Sequence, residues 1–125
     1  MADPMNQSAD SALIAVSRVV DKVVFDKTGE RLGVIKDVYI GKVSGEVEFA
    51  ALTFGGVLGL GEKSHPLPWS YLVYNPAVEG FVVDIDRSAL EGSPAYGEDW
   101  LTGDESWGGE VRTYYAGLGG GANLV

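Results

Sequence analysis

The sequence predicts a small all-β domain followed by a short C-terminal helix, and three observations lead to that prediction. Residues 17–90 consist of short apolar runs separated by glycine-containing turns, which is typical of a compact β unit. The chain has 125 residues, the length of one ordinary domain, and 46% of them are hydrophobic, so one core can stabilise the fold. It has no cysteine, which excludes disulfides and cysteine-based metal centres.

The first two strands are predicted on either side of a tight turn. Val23–Phe25 runs into the turn Asp26–Glu30, where Gly29 can take the positive φ that a tight hairpin needs. The next strand, Leu32–Ile40, loses its alternation of polar and apolar residues at Lys36–Asp37. That slip predicts a β-bulge or a strong bend in the second strand.

The third strand is predicted to enter the core. A second glycine turn, Lys42–Gly45, leads into the strand Glu46–Phe54. This strand begins with strict alternation and then becomes apolar on both faces, as expected where both faces are covered.

A glycine-rich segment and two prolines follow. Gly55–Gly61 has four glycines in seven residues, but no helix can begin after it to bind a phosphate, because Pro66 and Pro68 come next. We therefore interpret it as a connection between strands. The prolines lack the N–H that a central strand donates, so they predict an edge strand or its exit, with Trp69 as an anchor in the core or at its rim.

The last two strands are predicted at Tyr71–Tyr74 and Phe81–Ile85. Asp86 is a good N-cap residue, and it predicts a single helical turn that ends at Leu90. Six short motifs therefore follow one another at defined spacings: Asp26-x-x-Gly29-Glu30-x-x-Gly33, Ile35–Ile40, Gly45, Phe54–Lys63, Leu67–Trp69 and Phe81–Asp86.

In order and spacing these motifs resemble the PRC-barrel domain family over residues 16–91. The resemblance implies a small, strongly bent antiparallel β-barrel, and protein–protein contact rather than catalysis. The family includes the cytoplasmic domain of the photosynthetic reaction-centre H subunit and the C-terminal domain of the ribosome maturation factor. We expect a stand-alone bacterial member, because neither the transmembrane helix of the first nor the preceding domain of the second is recognisable here.

Residues 1–15 are predicted to be an N-terminal extension and residues 92–125 an aromatic and acidic tail with a glycine-rich end. A helix over about residues 104–115, capped by Asp104, would place Trp107, Val111 and Tyr114 or Tyr115 on one stripe. Two interpretations remain open. The stripe is part of the core if the tail folds back over the barrel, or it is a contact surface for another protein.

The charge of the chain excludes several classes of partner. Nine basic and 18 acidic residues give a formal net charge of −9, and the whole excess falls in residues 46–125. Direct binding to nucleic acid needs a cationic surface, so we expect none. No apolar stretch approaches the roughly 20 residues of a transmembrane helix. We therefore expect no membrane span and a cytoplasmic location.

The chain offers little catalytic chemistry. His65 is the only histidine, so a histidine-rich metal site cannot be built from one chain. No serine lies in a nucleophile motif. A group of carboxylates lacks the spacing of a calcium loop and is interpreted as a solvated acidic rim: Glu98, Asp99, Asp104 and Glu105. The sequence therefore predicts no enzyme, no cofactor, no metal and no catalytic residue.

The leading hypothesis is a non-catalytic interaction or assembly module whose protein partner is unknown, with a second copy of the chain as one candidate. The residues predicted to make contact are Lys36, Asp37, Tyr39, Trp69, Trp100, Trp107, Tyr114 and Tyr115. One alternative is a small-ligand-binding protein or enzyme that uses residues 55–61 and His65, with a pocket between residues 55–69 and the tail. The other is a ribosome-associated factor that acts through a protein contact.

Overall fold

The computed structural model describes residues 12–54, 63–97 and 106–118. Within these ranges six strands form one sheet, around which three α-helices and a 3₁₀ turn lie. In chain order the elements are α1 (Val16–Val19), β1 (Val23–Asp26), β2 (Arg31–Ile40), β3 (Val47–Thr53), β4 (His65–Pro68), the 3₁₀ turn (Trp69–Tyr71), β5 (Val73–Asn75), β6 (Gly80–Val83), α2 (Arg87–Glu91) and α3 (Trp107–Leu118). The glycine-rich segment 55–61 and the acidic residues 98–105 lie outside the described ranges.

The strands follow the order β4-β3-β2-β1-β6-β5, and the sheet curls into a half-barrel. This confirms the predicted all-β, strongly bent barrel with a C-terminal helix. Neighbouring strands are antiparallel except β1 and β6, which pair in parallel. The antiparallel prediction missed that pair. β6 returns beside β1 only after β2 to β5, and a pairing so distant in sequence leaves no local pattern.

β2 contains an irregularity in its pairing with β3. The register between β2 and β3 shifts between Ile35 and Asp37, which confirms the bulge predicted at Lys36–Asp37. Gly29 and Gly45, with φ values of 92° and 75°, supply the positive φ of the two hairpin turns that flank β2. The local sequence therefore determines both ends of this strand and the bulge in its middle.

β3 has the longest run of buried residues among the strands of the sheet. Its residues from Phe49 to Thr53 are all buried, as predicted for a strand covered on both faces. β4 pairs with β3 on one side and forms an edge of the sheet. Because Pro66 and Pro68 lack an N–H, their place at this edge agrees with the sequence prediction.

The C-terminal helix α3 covers the sheet and completes the core. Trp107, Val111 and Tyr115 lie on its buried face, and Tyr114 is half-buried. The stripe predicted from the sequence is therefore packed within the chain itself. The helix spans Trp107–Leu118, three residues farther than the predicted end, and the proposed cap at residue 104 lies outside the described ranges.

The short helix α2 begins where the sequence predicts. Asp86 occupies its N-cap position, and its carbonyl oxygen accepts hydrogen bonds from the N–H groups of Ala89 (3.0 Å) and Leu90 (3.1 Å). The side chain of Asp86 makes no capping hydrogen bond, although the sequence prediction rested on that carboxylate. The helix is anchored instead by Leu90, which is fully buried.

Candidate functional site

A groove of about 480 Å³ lies between the β2–β3 turn and the first turns of α3. Its floor is aromatic. The indole ring of Trp107 meets the rings of Tyr39 and Phe49 edge-on, with centroid distances of 5.1 Å to each. Edge-to-face contacts of this kind hold the rings in fixed orientations. The floor is therefore a rigid apolar surface that strands β2 and β3 share with α3.

The rim of the groove exposes two large apolar side chains. Ile40, the last residue of β2, is 54% exposed, and Val43 at the tip of the turn is fully exposed. Two backbone hydrogen bonds order the turn. The N–H of Gly45 donates to the carbonyl of Gly41 at 2.9 Å, and the N–H of Gly41 donates to the carbonyl of Glu46 at 2.8 Å. Two exposed apolar side chains therefore lie beside the apolar floor of the groove.

One wall of the groove is polar. A guanidinium nitrogen of Arg112 donates to a carboxylate oxygen of Glu48 at 2.7 Å, and the same guanidinium lies 4.7 Å from the centre of the Phe49 ring. The hydroxyl of Ser44 donates to the other carboxylate oxygen at 2.9 Å. The hydrogen bond from Arg112 lowers the pKa of Glu48, and Ser44 adds to the effect. The wall therefore joins α3, β3 and the turn, and it carries charges of both signs.

Two buried polar atoms of α3, Trp107 Nε1 and the Tyr115 hydroxyl, have no hydrogen-bond partner among the described residues. Burial raises the pKa of Tyr115 to about 12. A buried polar group left without a partner costs about 1–3 kcal/mol. The apolar packing of α3 therefore offsets the free-energy cost of burying these two polar groups.

A family model for the PRC-barrel domain matches residues 12–90. The chain belongs to the PRC-barrel domain family. The match extends from α1 through β6 into α2, and α3 lies beyond it. No curated protein matches the chain. The groove thus combines strands of the family domain with a helix outside the matched region.

The structure places two of the predicted contact residues, Tyr39 and Trp107, in this groove of the PRC barrel. Trp107 is buried in the floor. Tyr115 is buried farther along α3, where it helps to attach the helix, so in this conformation its ring lies inside the molecule rather than on a contact surface. Tyr114 is half-buried, and its hydroxyl donates to the carbonyl of Ala89 at 2.8 Å.

The remaining predicted residues do not line the groove. Lys36 and Asp37 are exposed at the bulge of β2. Trp69 is half-buried and packs edge-on against Phe81 at 5.6 Å. Trp100 lies outside the described residues.

The sequence prediction missed the residues that shape the rim and the polar wall: Ile40, Val43, Glu48 and Arg112. One signal was available. Val43 is an apolar residue in the middle of a glycine turn, where polar residues are usual. The pairing of Glu48 with Arg112 had no such signal, because it joins a strand to a helix far along the chain.

His65, the central residue of the alternative ligand-binding hypothesis, makes contacts within the fold. The hydroxyl of Ser93 donates to the carbonyl of Leu90 at 2.6 Å, so it accepts the Nδ1–H of His65 at 3.0 Å. The ring of Phe54 lies 4.6 Å from the His65 ring at a tilt of 53°, and burial of the His65 ring lowers its pKa. A histidine that activates a serine accepts the hydroxyl proton, whereas here the donation runs from histidine to serine.

The described residues contain no cluster of His, Asp and Glu that could hold a metal ion. In the same part of the chain no helix is long and apolar enough to cross a membrane. The pocket predicted between residues 55–69 and the tail depends on residues 55–62, which lie outside the described ranges.

Proposed function

We propose that this PRC-barrel protein is a non-catalytic interaction module that binds an apolar segment of a partner protein in the groove between the β2–β3 turn and α3. The observation that carries the proposal is the fully exposed Val43 beside the rigid aromatic floor. The family supports it, because PRC-barrel domains are commonly interaction modules and are not known as catalysts.

The chemistry of the groove indicates how a partner segment would bind. Apolar side chains of the segment would cover Ile40 and Val43 and pack against the floor formed by Tyr39, Phe49 and Trp107. Burial of apolar surface contributes about 25 cal/mol per Å², so the exposed rim supplies the driving force. The polar wall lies at the side of the groove, where Glu48 and Arg112 can set the orientation of the segment.

The proposal is tested by capture from a lysate of the source organism with immobilised wild-type, V43D and V16D proteins. Val16 in α1 is 46% exposed and does not line the groove, so V16D is a control for the same chemical change at another site. We expect a protein that wild type and V16D retain and V43D loses, and that then binds directly in purified form. If no captured protein depends on Val43, the proposal fails.

The alternatives from the sequence stay predictions with their own tests. A small-ligand site at residues 55–61 and His65 predicts thermal stabilisation by a metabolite in a broad screen. A ribosome-associated factor predicts co-sedimentation with ribosomal particles through a protein contact, since a net charge of −9 disfavours direct contact with RNA.

A further inference from the structure

Helix α3 is joined to the rest of the described chain by side chains alone. Its backbone forms no hydrogen bond with a strand or loop in the described ranges. The six strands, by contrast, are connected to one another by backbone hydrogen bonds throughout the sheet. The family match also ends at residue 90, before α3 begins. The sheet therefore has a source of cohesion that α3 does not share.

The contacts that attach α3 are of two kinds. Trp107, Val111 and Tyr115 are buried against the sheet and supply the apolar contacts. Exposed polar pairs contribute little to stability, so docking of α3 depends mainly on these three side chains. The polar contacts are hydrogen bonds that are not fully buried: Arg112 to Glu48 at 2.7 Å, Tyr96 to Glu110 at 2.6 Å and Tyr114 to the Ala89 carbonyl at 2.8 Å.

The sequence of α3 is unfavourable for a helix that stands alone. Three of its 12 residues are glycines, Gly108, Gly109 and Gly117, and glycine is unfavourable in a helix interior relative to alanine. A helix of this length is marginal in water even with a better composition. Opening would also return Trp107 Nε1, which has no partner among the described residues, to water. Docking and helical structure of α3 are therefore lost together.

The groove beside the β2–β3 turn depends on α3. Trp107 supplies part of the floor, Arg112 supplies part of the polar wall, and Gly108 also lines the groove. The other lining residues belong to β2, β3 and the turn between them. Opening of α3 would therefore remove the groove. It would also uncover the rings of Tyr39 and Phe49, which now meet the indole of Trp107.

We propose that α3 opens as a unit while the sheet stays folded, and that this opening switches the groove between a form that binds a partner and a form that does not. Local opening of this kind occurs where few backbone hydrogen bonds tie a segment to the rest of a protein. A partner segment in the groove then holds α3 closed, because it binds only the closed form. The link to binding rests on the proposed function, whereas the opening itself does not.

Thiol labelling measures this opening directly, because the chain has no cysteine of its own. V111C places a single cysteine at a fully buried position of α3, and V83C makes the same substitution at a fully buried position of β6. Each full-length variant is shown to be folded by circular dichroism and is then treated with an aromatic disulfide reagent under native conditions. We expect V111C to react at least about tenfold faster than V83C, since Val83 becomes accessible only when the sheet unfolds.

The substitution G33A separates local opening from global unfolding. A Cβ at Gly33 meets atoms of Thr53 and Phe54 rather than of α3, so it strains the sheet whether α3 is docked or open. We expect G33A to accelerate labelling of V83C by about 5- to 150-fold and to leave labelling of V111C unchanged. The proposal is overturned if V111C reacts no faster than V83C. It is equally overturned if G33A accelerates both by the same factor, because α3 then opens only when the whole chain unfolds.

Amide hydrogen exchange repeats the test without a cysteine. In the unsubstituted full chain we expect the amides of α3 to exchange faster than those of β3, and in G33A only those of β3 to lose protection. Equal protection of α3 and β3 in both proteins would contradict the proposal. The capture experiment has a separate outcome. Failure to find a partner that depends on Val43 overturns the proposed function and leaves the labelling rates unaffected.

Discussion

The same residue types have opposite surroundings on α3 and on β5. Val111 and Tyr115 of α3 are 0% and 2% exposed, whereas Val73 and Tyr74 of β5 are 64% and 41% exposed. The difference lies in what covers each element. The sheet and α3 bury one another, while the outer side of β5 faces no strand in the described part of the chain. An apolar or aromatic stripe thus predicts a surface that is stabilised by burial. Tertiary structure decides whether other elements of the same chain bury it.

The covered region also carries costs that packing has to offset. α3 contains Gly108 and Gly109, each of which disfavours a helix interior by about 1 kcal/mol relative to alanine. It also buries two polar atoms that have no hydrogen-bond partner among the described residues. Its stability must therefore come from the burial of Trp107, Val111 and Tyr115 against the sheet.

The largest expected effect is the difference in stability between variants of Val111 and of Val73. V111D places a carboxylate at a fully buried position and is expected to lower the free energy of unfolding by about 3–5 kcal/mol. V73D introduces the same group at an exposed position and is expected to change it by less than about 0.5 kcal/mol. Urea unfolding at low protein concentration, followed by circular dichroism, measures both. Equal small effects would show that α3 does not stay packed on the sheet in solution.

Two glycines test the backbone of β2 and of α3. A Cβ at Gly33 of β2 would collide with the backbone carbonyl of Thr53 on β3, so G33A is expected to destabilise the protein by about 1–3 kcal/mol. A Cβ at Gly109 of α3 meets no atom within 4 Å, and G109A is expected to stabilise the protein by about 0.5–1 kcal/mol. Thermal unfolding of both variants gives the signs. A loss of stability in G109A would contradict the open surroundings of that residue.

Neighbouring tyrosines test how well α3 satisfies its polar groups. Y114F removes the hydroxyl that donates to the Ala89 carbonyl and is expected to cost about 1 kcal/mol. Y115F removes a buried hydroxyl that has no partner among the described residues, so stability is expected to stay unchanged or to rise. Urea unfolding of Y114F and Y115F under the same conditions measures both changes in stability. An equal loss in both would show that the Tyr115 hydroxyl is hydrogen-bonded in solution.

The features that the sequence predicted correctly depend on short stretches of the chain. The bulge at Lys36–Asp37 appears as a slip in alternation, the turn at Gly29 needs one residue with positive φ, and the stripe on α3 follows helical spacing. Burial of β3 was also predictable, since both faces of its second half are apolar in the sequence.

The features that it did not predict depend on contacts between distant segments. The parallel pairing of β1 with β6 and the ion pair between Glu48 and Arg112 have no local signature. The groove itself exists only because α3 packs against the end of β2. Helical spacing therefore predicted that Trp107 and Tyr115 share one stripe, but it could not assign that stripe to the core rather than to a contact surface.

The smallest expected effect is a pH dependence at the β4 edge, the side of the sheet that the chain itself protects. Burial lowers the pKa of His65 below its ordinary value of 6.5. This effect outweighs the opposing effects of hydrogen bonding to Ser93 and of the Glu91 carboxylate, while Lys63 acts in the same direction as burial. The neutral ring is therefore favoured in the folded protein. Its contribution to stability is complete above pH 6.5 and is lost as the pH falls from 6.5 to the lowered native pKa.

Urea unfolding midpoints measured between pH 8 and pH 5 test this sign. No other histidine titrates in that window, and the carboxylates with lowered pKa values, Asp26 and Glu48, change only at lower pH. We expect the urea midpoint of wild type to fall as the pH decreases from 8 to 5, whereas the midpoint of H65Q is expected to stay constant. A midpoint that rises as the pH falls would mean that the folded protein prefers the charged ring. In that case the hydrogen bond to Ser93, rather than burial against Phe54, would control the protonation of His65.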